Sequence, residues 1–178
     1  MYEEILAFWF EEISPKQQFA KDDSLDQMIR TRFMPIHQKA TRVELYSWRQ
    51  TISGRLAEII ILDQFSRNMF RDDPRAFRFD EMSLTLAQEA VASGRAKELP
   101  AAKRAFLYMP FMHSESLVIH EIAEKLFSEP GLEENLIFEK KHQKIIARFG
   151  RYPHRNKILG RESTAEERAF LKQPDSSF

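Results

Sequence analysis

The chain has 178 residues, and its 27 Lys plus Arg balance 27 Asp plus Glu to give no formal net charge. This length is typical of one domain, so we predict a single domain over residues 1–178. The absence of net charge argues against general attraction to nucleic acid or anionic lipid. With no cysteine, disulfide frameworks, thiolate metal sites and thiol catalysis are excluded, which agrees with a reducing compartment.

The N-terminal segment does not have the pattern of a signal peptide. Residues 2–10 are largely apolar, but Glu3 and Glu4 interrupt them and a basic start is missing. Uncharged apolar runs also fall far short of the roughly 20 residues of a membrane span. We therefore predict a cytoplasmic protein without a membrane partner.

Apolar residues recur at helical spacing along almost the whole chain, whereas alternating strand-like runs are scarce. The sequence thus predicts an all-α fold. The predicted helices cover residues 2–11, 23–40, 43–48, 52–70, 74–93, 101–112, 115–127, 133–149 and 165–172. No repeat of fixed period is visible, but short connections favour antiparallel neighbours. We expect stacked helical hairpins.

Several helix ends are marked in the sequence. The Asp–Pro pair at residues 73–74 is a helix start, and the Thr–Glu spacing at residues 164–167 is a capping box. Gly94 and Gly150 suit the left-handed residue that closes a helix. These signals predict two starts and two stops.

A first polar motif follows an apolar run inside the helix at residues 52–70. Residues 59–62 are apolar on every side, so Asp63 directly after them is expected to be buried. A buried carboxylate needs a partner, and Arg67 lies one helical turn further on. Asn68 and Arg71 follow. The pattern fits a structural ion pair or a polar pocket.

A second polar motif occupies residues 104–116 and includes Arg104, Tyr108, Pro110, His113, Ser114 and Glu115. Pro110 ends or kinks the helix, which places His113 at a junction between helices. His113 could act as a general acid or base with Glu115 as its orienting partner. Alternatively, Ser114 caps the next helix and Glu115 stabilises its N-terminus.

A third motif lies in a strongly basic stretch. From residue 140 to 161 there are eight basic residues and no acidic one, namely Lys140, Lys141, Lys144, Arg148, Arg151, Arg155, Lys157 and Arg161. His142 falls on an apolar helix stripe and is expected to face the core. The turn between Gly150 and Asn156 is rich in polar side chains, which are Arg151, His154, Arg155 and Asn156. Such guanidinium groups suit carboxylate or phosphate recognition, or bonds to neighbouring carbonyls.

Metal and cofactor motifs are missing. Glu139 and His142 form one Glu-x-x-His motif where a di-metal bundle needs two, and His120 lacks the second histidine of a zinc motif. Neither a phosphate-binding glycine loop nor a nucleophile elbow is present. We predict no metal and no cofactor. Phe149 and Tyr152 lie within the basic stretch and could stack on bases, but the neutral chain predicts only weak attraction to nucleic acid.

Four segments together resemble a known family. They are residues 6–10 (LAFWF), 62–77 (LDQFSRNMFRDDPRAF), 104–116 (RAFLYMPFMHSES) and 140–164 (KKHQKIIARFGRYPHRNKILGREST), and they are similar to the bacterial domain-of-unknown-function family 924. The resemblance implies a tetratricopeptide-like all-α fold and no established activity. The motif positions that it assigns are Asp63, Arg67, Asn68, Arg71, Arg104, Tyr108, His113, Ser114, Glu115, His142, Arg151, His154, Arg155, Asn156 and Glu162. Ser66 replaces a proline expected there.

Two functions fit these observations. The first is a binding module whose cationic polar pocket takes an anionic small molecule or an acidic peptide. The second is an enzyme that uses His113 or His154 as general acid or base, with Arg151 and Arg155 stabilising negative charge. The sequence does not predict the oligomeric state.

Overall fold

The computed structural model describes residues 1–174, 176 and 177, and all regular elements within them are helical. The α-helices are α1 (Tyr2–Ala7), α2 (Pro15–Phe19), α3 (Asp23–Thr41), α4 (Ile52–Ile60), α5 (Ser66–Met69), α6 (Asp80–Ala92), α7 (Ala101–Met112), α8 (Leu117–Phe127), α9 (Glu133–Phe149) and α10 (Ala165–Phe170). Two π-helical turns, Phe8–Glu12 and Ile61–Phe65, extend α1 and α4. Short 3₁₀ segments are Tyr46–Gln50, Pro74–Ala76, Arg95–Glu98 and Pro153–Arg155. The predicted all-α class is confirmed.

Helix α4 lies at the centre of the fold, and seven of its nine residues are buried. It contacts α1, α6 and α7, and its Leu56, Ile59 and Ile60 are completely buried. Burying an aliphatic side chain of this size contributes about 1.5–3 kcal/mol. Consecutive helices α6 to α9 also pack in sequence, each against the next, as expected of helical hairpins. The helix that carries Asp63 is therefore anchored on three sides.

Most predicted helix boundaries agree with the structure, and α7 and α9 match it residue for residue. The helix predicted over residues 74–93 is wrong in its first turns. Asp73 caps only the short 3₁₀ segment Pro74–Ala76, and the backbone leaves the helical conformation at Phe79 before α6 begins at Asp80. The break places Asp80 at a helix N-terminus, where a carboxylate is favourable.

Two other local predictions differ from the structure. The helix predicted at residues 43–48 is a 3₁₀ segment that begins at Tyr46, because Val43 adopts a left-handed conformation (φ 62°) that closes α3. Helix α2 was not predicted. Ser14 and Gln17 form a capping box at its start.

The C-terminal segment folds back on α9. A small second core of Ile145, Ile146 and Tyr152 anchors it, and Gly150 (φ 67°) closes α9 as predicted. The predicted capping box at Thr164 and Glu167 is present at the start of α10. This return brings the Pro153–Arg155 segment against the end of α7.

No helix in the described part of the chain is long and apolar enough to cross a membrane.

Candidate functional site

Asp63 lies in the π-helical turn Ile61–Phe65, where the widened backbone departs from the regular α-helix. Such turns are uncommon and often occur at functional sites. The side chain is fully buried, and its Oδ1 lies 2.8 Å from Arg67 Nη1 and 2.7 Å from His113 Nδ1. Burial favours the neutral acid, but the charge of Arg67 and the contact with His113 lower the pKa of Asp63 below its usual range. Gln64 Nε2 donates to the other oxygen, Oδ2, so Asp63 is an ionised carboxylate with three side-chain partners.

Arg67 connects Asp63 to a second carboxylate. Its Nη1 and Nη2 donate to the two oxygens of Asp80 at 2.9 and 3.0 Å. Burial opposes the charged form, but the two aspartates raise the pKa of Arg67 above its usual value. Asp80 also accepts a bond from Arg155 Nη1 at 3.1 Å. Asp63, Arg67, Asp80, His113 and Arg155 form one continuous set of contacts, which we name the polar network.

Arg155 is held more tightly than a surface arginine. Only 6% of the residue is exposed, and its guanidinium carbon lies 4.6 Å from the ring centres of both Phe77 and Tyr152. Nη2 donates to the His113 carbonyl at 3.0 Å, whereas the buried Nε–H has no hydrogen-bond partner among the described residues. Burial lowers the pKa of Arg155. The network thus contains one donor group that the described residues do not satisfy.

His113 is oriented by Asp63. Because an ionised carboxylate can only accept, Nδ1 carries the proton and Nε2 is left as the acceptor. Burial and the charge of Arg67 lower the pKa of His113, so the imidazole is neutral at pH 7. Its side chain is 17% exposed. A neutral imidazole whose Nε2 has no partner in the described part of the chain can accept a proton.

The polar network borders a cleft of about 350 Å³. The cleft is lined by Pro74, Phe77, Arg78, Asp80, Glu81, Leu84, Pro110, His113, Ser114, Glu115, Arg155, Leu159 and Arg161. Three arginines and three carboxylates are among them, so their formal charges cancel. The cationic character predicted for the pocket is confined to individual guanidinium groups.

Glu115 does not orient His113, so this prediction is wrong. Its carboxylate binds Arg161 at 2.6 and 2.9 Å and accepts the Tyr152 backbone N–H at 2.7 Å. The predicted cap at Ser114 is also wrong, since α8 begins at Leu117 after Ser116. Residues 113–116 connect α7 to α8, and His113, Ser114 and Glu115 line the cleft.

Four residues of the first two motifs, Asn68, Arg71, Arg104 and Tyr108, lie outside this cleft. Asn68 Nδ2 and Arg71 bind Asp26 on α3, with Asn68 at 2.8 Å and Arg71 Nη2 at 2.7 Å. Arg104 and Tyr108 both contact Glu129, at 2.9 and 3.3 Å. Arg104 also donates to the Leu99 carbonyl. These groups tie helices together at separate places.

The third motif is divided in the same way. Arg151 binds Glu167 of α10 at 2.7 and 2.9 Å. Asn156 contacts Arg161 and Ser163, and His142 contacts the Phe138 carbonyl within the core. Desolvation by burial lowers the pKa of His142 to about 3 and that of His154 to about 4. Arg151, His142, His154 and Asn156 do not line the cleft.

Sequence reasoning missed three residues that complete the site. Asp80 was predicted inside a helix, and no local pattern distinguishes it from the other acidic residues. Phe77 and Tyr152 were not predicted to pack against an arginine. The aromatic residue between Gly150 and Pro153 was a usable signal, because Tyr152 is completely buried within a polar turn. Within residues 1–174, 176 and 177, no three acidic or histidine side chains are placed to hold a metal ion.

Comparison with known proteins places this geometry in a family. The family model described as "Bacterial protein of unknown function (DUF924)" matches residues 5–175. A solved structure of a protein of unknown function from Agrobacterium tumefaciens is 36% identical, with a TM-score of 0.91 and coverage of 96% of each chain. No curated protein matches. The chain therefore belongs to the bacterial protein family of unknown function 924.

Proposed function

We propose that this protein binds a small anionic molecule in the cleft beside the polar network. The observation that carries the proposal is the Nε–H of Arg155, which is buried without a hydrogen-bond partner in the described part of the chain. An unsatisfied buried donor costs about 1–3 kcal/mol, which an acceptor on a ligand can offset. Arg155 lines the cleft, so a bound carboxylate or phosphate is a chemically suitable acceptor.

The size of the cleft favours a small molecule over a peptide. Its volume of about 350 Å³ lies at the lower end of the range of roughly 300–1,000 Å³ found for small-molecule sites. Apolar side chains also line it, including Phe77, Leu84 and Leu159. A peptide would have to bind across the wider surface and place a single acidic side chain in the cleft.

Calorimetric titration with inorganic phosphate and with succinate tests the proposal. We expect Arg155→Lys to weaken binding about tenfold, because lysine keeps the charge but loses the planar fork of donors. The control is Arg151→Lys, since Arg151 pairs with Glu167 outside the cleft. Equal affinities in wild type and Arg155→Lys, or no binding at millimolar anion, would contradict the proposal. An Arg155→Ala protein that unfolds would support a structural role instead.

A second candidate function is acid–base catalysis, and the contact between Asp63 and His113 specifically favours it. The carboxylate fixes the tautomer of the imidazole, so Nε2 can act as a general base toward a water molecule or a hydroxyl group. His154 is less suitable, because it does not belong to the described wall of the cleft. Arg155 would stabilise negative charge on the substrate.

Hydrolysis of p-nitrophenyl phosphate and p-nitrophenyl acetate tests this candidate. His113→Gln should lower the rate by about 10²–10⁴-fold, as expected for a lost general base. His142→Gln is the matched control, because its side chain lies in the core behind Tyr152. Equal rates in the wild type and His113→Gln would leave acid–base catalysis without support.

A further inference from the structure

The backbone around His113 is held at three successive carbonyl groups. Helix α7 ends at Met112, and the last carbonyls of a helix lack partners within it. Three side chains donate to them: Tyr152 Oη to Met112 O at 2.5 Å, Arg155 Nη2 to His113 O at 3.0 Å, and His120 Nε2 to Ser114 O at 2.9 Å. The donors come from α8 and from the segment after α9. They therefore fix the peptide planes on both sides of His113 from distant parts of the chain.

His120 continues these contacts into the interior of the α8–α9 pair. Its Nδ1 lies 2.6 Å from Glu139 Oε1, and both residues are completely buried. A carbonyl oxygen only accepts, so the Nε2 that faces Ser114 carries the imidazole proton. In a neutral imidazole Nδ1 is then an acceptor, and the proton between the two residues belongs to Glu139.

Two observations support a protonated Glu139. Its Oε2 is buried and has no hydrogen-bond partner among the described residues, an arrangement that is costly for a carboxylate and much less so for a neutral acid. Desolvation also raises the pKa of Glu139, and this outweighs the opposing contact with His120. The pair is best described as a neutral hydrogen-bonded chain from Glu139 through His120 to the Ser114 carbonyl.

We propose that Glu139, His120 and Tyr152 form a positioning unit that holds the His113 backbone so that Nδ1 stays on Asp63 and Nε2 faces the cleft. The role given to His113 rests on the proposed function, but the geometry of the unit does not. An apolar pair would join α8 to α9 without the cost of burying polar groups. What the polar chain adds is directional contact with the peptides beside His113.

NMR of the full chain with ¹⁵N-labelled histidine tests the unit. The chain contains five histidines, and His37, which contacts Ser66, serves as an internal reference. We expect Tyr152→Phe and Glu139→Ala each to speed exchange of the His113 Nδ1 proton about tenfold, as expected for one lost buried hydrogen bond. Glu139→Gln should keep the wild-type rate, because its amide N–H can donate to His120 Nδ1.

The matched control is Tyr108→Phe, which removes another buried hydroxyl whose contact is with Glu129. Wild-type His113 exchange in Tyr152→Phe would overturn the proposal, even if the protein were less stable. Glu139→Gln behaving like Glu139→Ala would overturn the neutral chain. If Glu139→Ala does not fold, Tyr152→Phe decides. Phosphate titration of the same variants separates the two proposals, since a protein that binds no anion can still show the expected exchange.

Discussion

The polar network and the Asp26 cluster, which consists of Asp26, Asn68 and Arg71, both combine aspartate with arginine, but they differ in their surroundings. In the Asp26 cluster, Arg71 and Asn68 direct their donors at one carboxylate, and the arginine side chain is 28% exposed. In the polar network, Asp63 is completely buried, and its Oδ1 accepts from both Arg67 and His113. The first cluster joins α3 to the end of α5. The second places a histidine at a cleft.

This difference separates structural ion pairing from a site that can do chemistry. Three donors satisfy the Asp26 carboxylate within the protein, and no histidine contacts it among the described residues. The polar network instead keeps two nitrogens without partners in the described chain, Nε2 of His113 and Nε of Arg155. The Asp26 cluster also lines a cleft, of about 390 Å³. Unused hydrogen-bonding capacity, rather than charge or a neighbouring cleft, is therefore what distinguishes the candidate site.

The largest expected difference between the two regions is in stability. Asp63→Ala leaves Arg67 buried beside one remaining carboxylate, and removal of one partner of a buried pair costs about 3–5 kcal/mol. Asp26→Ala removes contacts to a partly exposed arginine, for which about 1.5–3 kcal/mol is expected. Urea unfolding of both variants measures the two losses. Equal losses would show that removing a carboxylate from the buried network destabilises the protein no more than removing one from the Asp26 cluster.

The sequence predicted the parts of this comparison that depend on local spacing. Helices α7 and α9 followed from apolar periodicity, and the contact between Asp63 and Arg67 followed from their separation of one helical turn. Burial of Asp63 followed from the apolar run before it. Each of these inferences needed only residues on the same helix.

The remaining contacts depend on long-range packing or on local breaks in the backbone. His113 and Asp63 are 50 residues apart, and Asp80 follows a break in the helical backbone at Phe79. Arg71 was grouped with Arg67, but α5 ends at Met69 and Arg71 turns toward α3 instead. Spacing in the sequence could not predict these contacts. Their residues are far apart in the chain, or they follow a point where the backbone is no longer helical.

A pH titration of stability compares His113 of the polar network with His37, a buried histidine that lies outside both regions. Desolvation by burial lowers the pKa of His37, which lies on α3 and contacts Ser66 of α5, to about 4. Burial and the charge of Arg67 lower the pKa of His113. Each group favours the neutral form in the folded state. The contribution of each neutral histidine to the unfolding free energy is complete above its pKa of about 6.5 in the unfolded chain. It is lost as the pH falls toward the pKa in the folded protein. The loss is about 1.4 kcal/mol per pH unit for each histidine.

His37→Gln and His113→Gln should each flatten the decline of unfolding free energy below pH 6.5. For His37 the flattening should extend to about pH 4. Asp63 stays ionised throughout this window because its pKa lies below the usual range. Urea unfolding between pH 4 and 7.5 provides the slopes. A wild-type slope in His113→Gln would show that His113 is not held neutral, which would remove the proton acceptor from the site.

The smallest expected effect concerns Val43, which lies outside both regions. A change at this residue can raise the unfolding free energy of the protein in which the destabilising variants are made. Val43 closes α3 with φ 62°, and the bonds from Val43 N to Ala40 O and Glu44 N to Lys39 O follow a Schellman ending. A β-branched residue is strained in this left-handed conformation, where glycine is not. Val43→Gly should therefore raise the unfolding free energy by about 1 kcal/mol, less the entropy that glycine adds to the unfolded chain. Because Val43 is 46% exposed, little packing is lost.

Thermal unfolding measures the change. Val43→Ala keeps the left-handed strain of a Cβ atom, so its unfolding free energy should rise less than that of Val43→Gly. A decrease with glycine would mean that packing of the valine outweighs its backbone strain.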